Sequence, residues 1–281
     1  MKVSAGACRA VSGRIVFAPF RDSIASGSAL GQGNAMLSLS EISSLWPPML
    51  LSLKVAGLAT AASLCTGVFA AWLLARRRSA LSAVLDALCT LPMILPPTVL
   101  GYYLILFVGR RGLIGPWLAD LGINLIFSWK GAVVAATVVV FPLVYKSARA
   151  ALESVDPRFE DAARTLGASE WTLFLRVSLP LAWRSIMAGA MLAFARGMGE
   201  FGATLMLAGN IPGKTQTLAL AIYDAFQAGN DEEATLLVVV TSCVCLGLLI
   251  FAERLIGWNT GRRRTATVRA VAVRTAGRGD A

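Results

Sequence analysis

Histidine is absent from the 281 residues, and only 15% of them are charged. Ordinary globular domains carry about 25% charged residues. The missing histidine removes the commonest general base and the commonest transition-metal ligand. Cysteine is scarce too: Cys8, Cys65, Cys89, Cys243 and Cys245 include no C-x-x-C pair, and four stand in apolar runs. That spacing excludes a zinc ribbon and argues against a disulfide framework. The chain carries 26 Lys+Arg against 16 Asp+Glu, a net charge of +10. With 56% hydrophobic residues and a mean hydropathy of +0.67, this excess does not describe a soluble nucleic-acid binder. What the chain has in abundance is apolar length. It reads as an all-α polytopic membrane protein with little catalytic vocabulary and no metal site.

A membrane-crossing helix needs about 20 mostly apolar residues. Five stretches qualify, at about 48–75, 80–108, 126–148, 185–208 and 234–256. Hydrocarbon offers no partner for an unpaired backbone group, and the alternation of a barrel strand is missing, so these are helices. Three segments are rich in arginine: Arg76-Arg77-Arg78, the connection 149–184 and the tail after the last stretch. The positive-inside rule assigns them to the cytoplasm, which puts the N-terminus outside and the C-terminus inside. The loop 209–233, with Asp224, Asp231, Glu232 and Glu233, suits the outer side. The connection 109–130 fits less cleanly, because it carries Arg110, Arg111 and Lys130. Residues 1–35 are Ser/Gly/Ala-rich and lack the apolar core of a signal peptide. They read as a disordered or over-called extension, with Met36 as the start. Residues 258–281 read as a basic, disordered tail beside the membrane.

The connection 150–182 is too amphipathic to span. Asp156-Pro157 marks a helix start, with Asp as the cap and Pro at the first helical position. Gly167 has the freedom to end that helix, Ser169 to cap a second, and Pro180 to stop or bend it. Phe159, Ala162, Ala163 and Leu166 share one apolar face suited to another protein's groove.

Asp161-Ala162-Ala163, three residues, Gly167, nine residues, then Val177-Ser178-Leu179-Pro180 resembles the E-A-A-x3-G-x9-I-x-L-P loop of ABC importer permeases. Asp replaces Glu, with Glu160 just before it, and Val replaces Ile. The strings LPMILPPTVLGYYLI (91–105), GRRGLIG (109–115), FSWKGAVVAA (127–136), LAFARGMGEFGAT (192–204) and NIPGKTQT (210–217) are similar to molybdate permeases, close to those for sulfate and thiosulfate. The resemblance covers about 37–256 and implies a type I importer permease fold over 36–257. It further implies an inner-membrane homodimer that forms the path for molybdate or tungstate. The implied partners are two cytoplasmic ABC ATPase subunits, an extracytoplasmic oxyanion-binding protein and the lipid bilayer. ATP and Mg would be used by the ATPase, and this chain would bind no cofactor of its own. Glu160, Asp161, Ala162, Ala163, Gly167, Leu179 and Pro180 are then the residues that couple to the ATPase.

For the path, Pro92, Pro96 and Pro97 interrupt the second stretch, as a packing kink or as cavity-lining backbone. Arg196 and Glu200, four apart, are the one opposite-charge pair deep in a stretch. They form either a helix-orienting salt bridge or, through Arg196, a contact with the passing anion. Gly202 and Thr204 join the expected path, and Gly197 and Gly199 permit close helix approach. Asp86 should reach the inner interface, and Lys54 should snorkel outward. The string Ala208–Thr215 loosely imitates a phosphate loop. It follows a transmembrane helix rather than a strand, and Pro212 removes a donor, so nucleotide binding is not expected. Asn210, Lys214, Thr215 and Thr217 are instead offered to the binding protein. A sulfate or thiosulfate permease, an intramembrane enzyme and a stand-alone secondary transporter remain as rival readings.

Overall fold

A computed structural model describes residues 39–75 and 79–257. The expectations for residues 1–35, Arg76-Arg77-Arg78 and the tail 258–281 lie outside them. The described residues are helical, without strands. They comprise α1 (Leu39–Leu74), α2 (Ala80–Ile94), α3 (Pro97–Val108), α4 (Gly115–Asp120), α5 (Trp129–Glu153), α6 (Pro157–Thr165) and α7 (Glu170–Leu173). A π-helical turn, Phe174–Ser178, leads into α8 (Leu179–Met198), followed by α9 (Gly202–Ala208), α10 (Leu218–Gln227) and α11 (Asp231–Gly257).

Among the described residues four stretches are long and apolar enough to cross a membrane: Leu45–Leu74, Trp129–Glu153, Glu170–Met198 and Asp231–Phe251. The expected second span, 80–108, is two helices bent by 115° at a short break. It makes a fifth crossing only if the pair is counted as one. Pro92 does not cause the break, because it lies inside α2. The helix ends at Leu95, held extended before Pro96, the conformation that a following proline favours, and Pro97 opens α3.

The stretch expected at 185–208 also differs. One helical run begins at Glu170, passes through the π turn and ends at Met198, and α9 is a separate short helix. Pro180 therefore does not stop the second loop helix, which continues into the span. The wider π turn absorbs it: Leu179 N–H donates to Phe174 O, and the proline follows where its missing N–H interrupts no regular ladder.

Helix α5 is the central post. Its alanines and valines (Ala132, Ala136, Val140, Val144) pack with Val55 and Ala59 of α1 and Ala193 of α8. On another side Ala135 and Val139 meet Leu100, Ala203 and Leu207 of α3 and α9. Small side chains let these backbones approach closely, which is how helices associate where lipid offers no hydrophobic drive. At Gly189 of α8 an added Cβ would stand 2.2 Å from the Ser147 Cβ of α5.

Candidate functional site

The loop between α5 and α8 is built by local caps. Asp156 accepts from Arg158 N at 3.0 Å, Pro157 occupies the first position of α6, Gly167 adopts φ +81°, and Ser169 caps α7. Phe159 and Leu166 on α6 are 57% and 88% exposed, Ala162 is exposed and Ala163 half-buried. The helix thus turns its apolar residues outward and buries a carboxylate.

That carboxylate is Glu160, 1% exposed, which accepts a hydrogen bond from Ser178 Oγ at 2.7 Å. The two adjacent acids of the motif therefore do different things. Asp161 is exposed and bonds Arg164 Nη1 at 3.1 Å, whereas Glu160 ties α6 to the π turn. Arg164 also reaches Glu170 Oε1 at 2.8 Å and joins α6 to α7. The bond to Glu170, with Asp161 beside it and against slight desolvation, raises the guanidinium further above its ordinary value. Leu179 and Pro180 sit at the start of α8, directly after Ser178.

A second attachment is aromatic. Trp72 of α1 meets Trp171 edge-on at 5.3 Å and Phe174 at 5.1 Å. Between the two attachments lies a cavity of about 250 Å³ whose lining includes Trp72, Leu152, Glu160, Leu173 and Ser178. Neither the Glu160–Ser178 bond nor this cluster follows from spacing in the sequence; the visible signal is that Trp72 stands just before Arg76-Arg77-Arg78 and Trp171 within the arginine-rich connection. Nearby, Asp86 accepts from Tyr145 Oη at 2.7 Å and pairs with Lys146 at 3.0 Å and Arg149 at 2.6 Å. It anchors α2 to α5 rather than standing at the interface alone.

The expected path residues come together at two helix breaks. Arg196 Nη1 lies 3.0 Å from Glu200 Oε2, and Glu200 Oε1 accepts from Ala203 N at 3.0 Å, capping α9. Glu200 is 3% exposed and Thr204 1%. Gly202 touches Pro97: a Cβ on the glycine would sit 2.8 Å from the proline's. One turn on, a Cβ at Gly101 would stand 2.6 Å from Met206 Cβ. The break after α2 and the break after α8 are thus packed on each other. Pro96 precedes this contact and is exposed.

In the 209–217 loop Lys214 is exposed and Asn210 half-buried, but Thr215 is fully buried. Its Oγ1 donates to Gly209 O at 3.2 Å and accepts from Ile211 N at 3.0 Å. The hydroxyl is spent on holding the loop, and Thr217 is 4% exposed, so in this structure Lys214 is the most accessible of the residues expected to meet an external protein. Lys54 does not simply extend outward, since its Nζ lies 3.8 Å above the Trp129 ring. Among the described residues no group of three His, Cys, Asp or Glu is placed to hold a metal ion.

The model of the family described as "Binding-protein-dependent transport system inner membrane component" matches residues 63–265. The chain is 47% identical over 210 residues to the molybdenum transport system permease protein ModB of Escherichia coli (strain K12), covering 74% of this chain and 92% of that one. It is 37% identical over 221 residues to the sulfate transport system permease protein CysT of the same strain, covering 77% and 79%. Among solved structures, an inward-facing form of the MetNI methionine ABC transporter superposes with a TM-score of 0.62 at 17% identity, over 78% of this chain and 98% of that one.

Proposed function

The chain belongs to the binding-protein-dependent transport system inner membrane component family and is an ABC importer permease subunit; we propose that its cargo is molybdate, with tungstate as an equivalent cargo. Two copies form the path and meet two cytoplasmic ATPase subunits through α6 and α7. An extracytoplasmic oxyanion-binding protein delivers the anion to the opposite face. ATP and Mg act at the ATPase, and this chain contributes no hydrolytic group of its own.

The observation that carries the coupling role is α6. It is a capped helix that exposes Phe159 and Leu166 while its buried Glu160 is bonded to the base of α8. An exposed apolar helix face on a charged loop suits a partner's groove, and a push on it reaches α8 through Ser178 and α1 through Trp72. ATP-driven closure at the ATPases then supplies the free energy that shifts the path between outward- and inward-facing states. Arginines 158, 164, 176 and 184 on this side support a cytoplasmic loop, an outer N-terminus and an inner C-terminus, with the bent pair counted as one crossing.

The 47% identity to a molybdenum permease against 37% to a sulfate permease favours molybdate. The second of these keeps sulfate or thiosulfate as the alternative cargo. Uptake of radiolabelled molybdate into vesicles holding the permease, its ATPase and its binding protein decides between them. Competition by tungstate but not by sulfate is expected. Efficient competition by sulfate would overturn the cargo assignment, and uptake without any ATPase would overturn the importer mechanism.

A further inference from the structure

The π turn and the two breaks set which face of α8 stays open. Ala182, Ile186, Gly189, Ala190, Ala193 and Gly197 are buried, while Leu181, Ser185, Leu192, Arg196 and Gly199 are exposed along one stripe. The depth of Arg196 follows from its neighbour. A Cβ on Gly197 would lie 3.7 Å from Ala56 of α1. At about 1.5 Å per residue, Ala56 is about 17 Å from the outer end of the spanning stretch at Leu45 and about 27 Å from Leu74. A guanidinium at that level does not face lipid without a large cost, so an exposed stripe that carries one borders water or a second copy of the bundle.

Arg196 is held on one side only. Glu200 takes Nη1, and the Nε and Nη2 edge has no hydrogen-bond acceptor among the described residues, with the side chain 42% exposed. Glu200 is itself fixed, because its other oxygen caps α9. We propose that Arg196 and Glu200 form a charge-compensated transit site for a tetrahedral oxyanion. This deepens, and rests on, the reading of the chain as an oxyanion importer. The free Nε/Nη2 edge presents two parallel N–H donors, the geometry that matches two oxygens of such an anion. Glu200 is a positioning residue. It fixes the guanidinium plane, and its negative charge offsets the arginine so that the anion is bound weakly enough to leave, which a conduction path requires.

The pair gives variants with opposite signs. Glu200→Gln keeps the Oε1 acceptor for Ala203 N and removes the offsetting charge. Arg196→Gln removes the anion's donor edge and its charge. The test uses the complete permease–ATPase complex, with molybdate uptake measured in proteoliposomes supplied with binding protein and molybdate retention measured on the purified complex by equilibrium dialysis. Loss of a charged hydrogen-bonding edge corresponds to about a tenfold or larger fall in uptake for Arg196→Gln, with partial recovery in Arg196→Lys. Glu200→Gln is expected to raise retention by about tenfold while slowing uptake. If the pair is only a structural salt bridge, Arg196→Gln and Glu200→Gln lower thermal stability and uptake together and leave retention unchanged; that result overturns the proposal. Wild-type molybdate uptake matched by Arg196→Gln would overturn the transit site and leave the importer reading standing. A wild-type complex that carried no oxyanion would overturn both.

Discussion

Replacing Ser178 with alanine tests how much the Glu160–Ser178 bond contributes to the attachment of α6 to α8. The Glu160 side chain is only 2% exposed, so the lost hydroxyl can be replaced only by water within the adjoining cavity, which tempers the cost without removing it. A hydrogen bond to a charged group contributes about 1.5–3 kcal/mol, and a buried carboxylate deprived of one partner sits in the middle of that range, about 2 kcal/mol or about 30-fold in an equilibrium. Arg164 Nη2, 3.7 Å from Glu160 Oε2, is too far for a hydrogen bond and offers only partial electrostatic relief. The bond is isolated by a double-mutant cycle of Ser178→Ala, Glu160→Ala and the pair, read by chemical unfolding in detergent, with Glu160→Gln as the conservative control. Glu160→Gln retains an acceptor for the hydroxyl and should cost less than Ser178→Ala. In proteoliposomes Ser178→Ala should keep ATP hydrolysis while transporting less molybdate per ATP, because the push on α6 is no longer passed to α8. A stability change under about 0.5 kcal/mol, with the transport-to-hydrolysis ratio intact, would refute the reasoning.

Other perturbations follow from the same geometry. Gly167→Val forces a β-branched residue to φ +81° at a place with no crowding atoms, so it should strain the α6–α7 turn by about 1–2 kcal/mol and lower uptake while helix content by circular dichroism stays the same. Gly189→Ala should push α5 and α8 apart at a cost of about 1–3 kcal/mol in unfolding experiments, and Ser147→Gly in the same chain should restore most of it. Thr215→Val removes the two hydroxyl hydrogen bonds that help close the 209–215 loop, leaves the backbone bonds to Ile211 O, and should speed proteolysis there, with little effect on ATP hydrolysis in the absence of binding protein.

What the sequence discloses about this molecule is mostly local or compositional. Asp156-Pro157, Gly167 and Ser169 act within one turn of themselves, so their roles are visible without any partner. The apolar runs disclose helices because a membrane leaves no alternative. The 95–96 break is harder to place, since Pro92 carries the same ring as Pro96 and yet rides inside a helix; only the second is preceded by a residue driven extended. The continuous run from Glu170 to Met198 is hidden for a related reason, because proline reads as a stop unless a π turn has already loosened the ladder. Which of Glu160 and Asp161 is buried depends on how α6 is docked, and no spacing rule separates neighbours. Likewise Thr215 looks like any polar loop residue until the backbone atoms it closes upon are placed. The Arg196–Glu200 pair was legible from its i, i+4 spacing, but the capping of α9 by Glu200 required knowing that the helix breaks at 199–201.

The π turn at Phe174–Ser178 has a consequence for angular phase. A helix advances about 100° per residue, so a single added residue at the base of α8 rotates everything above it by that amount relative to α6. The exposed stripe that carries Arg196 therefore points where it does because of a register offset some 20 residues away, beside the α6–α7 loop. Deleting one residue there would leave the helix intact and turn the arginine from the open side into its neighbours. Length between α6 and α8 is in this sense a fixed gear ratio, and this segment should tolerate exchange of side chains far better than insertion or loss of a residue.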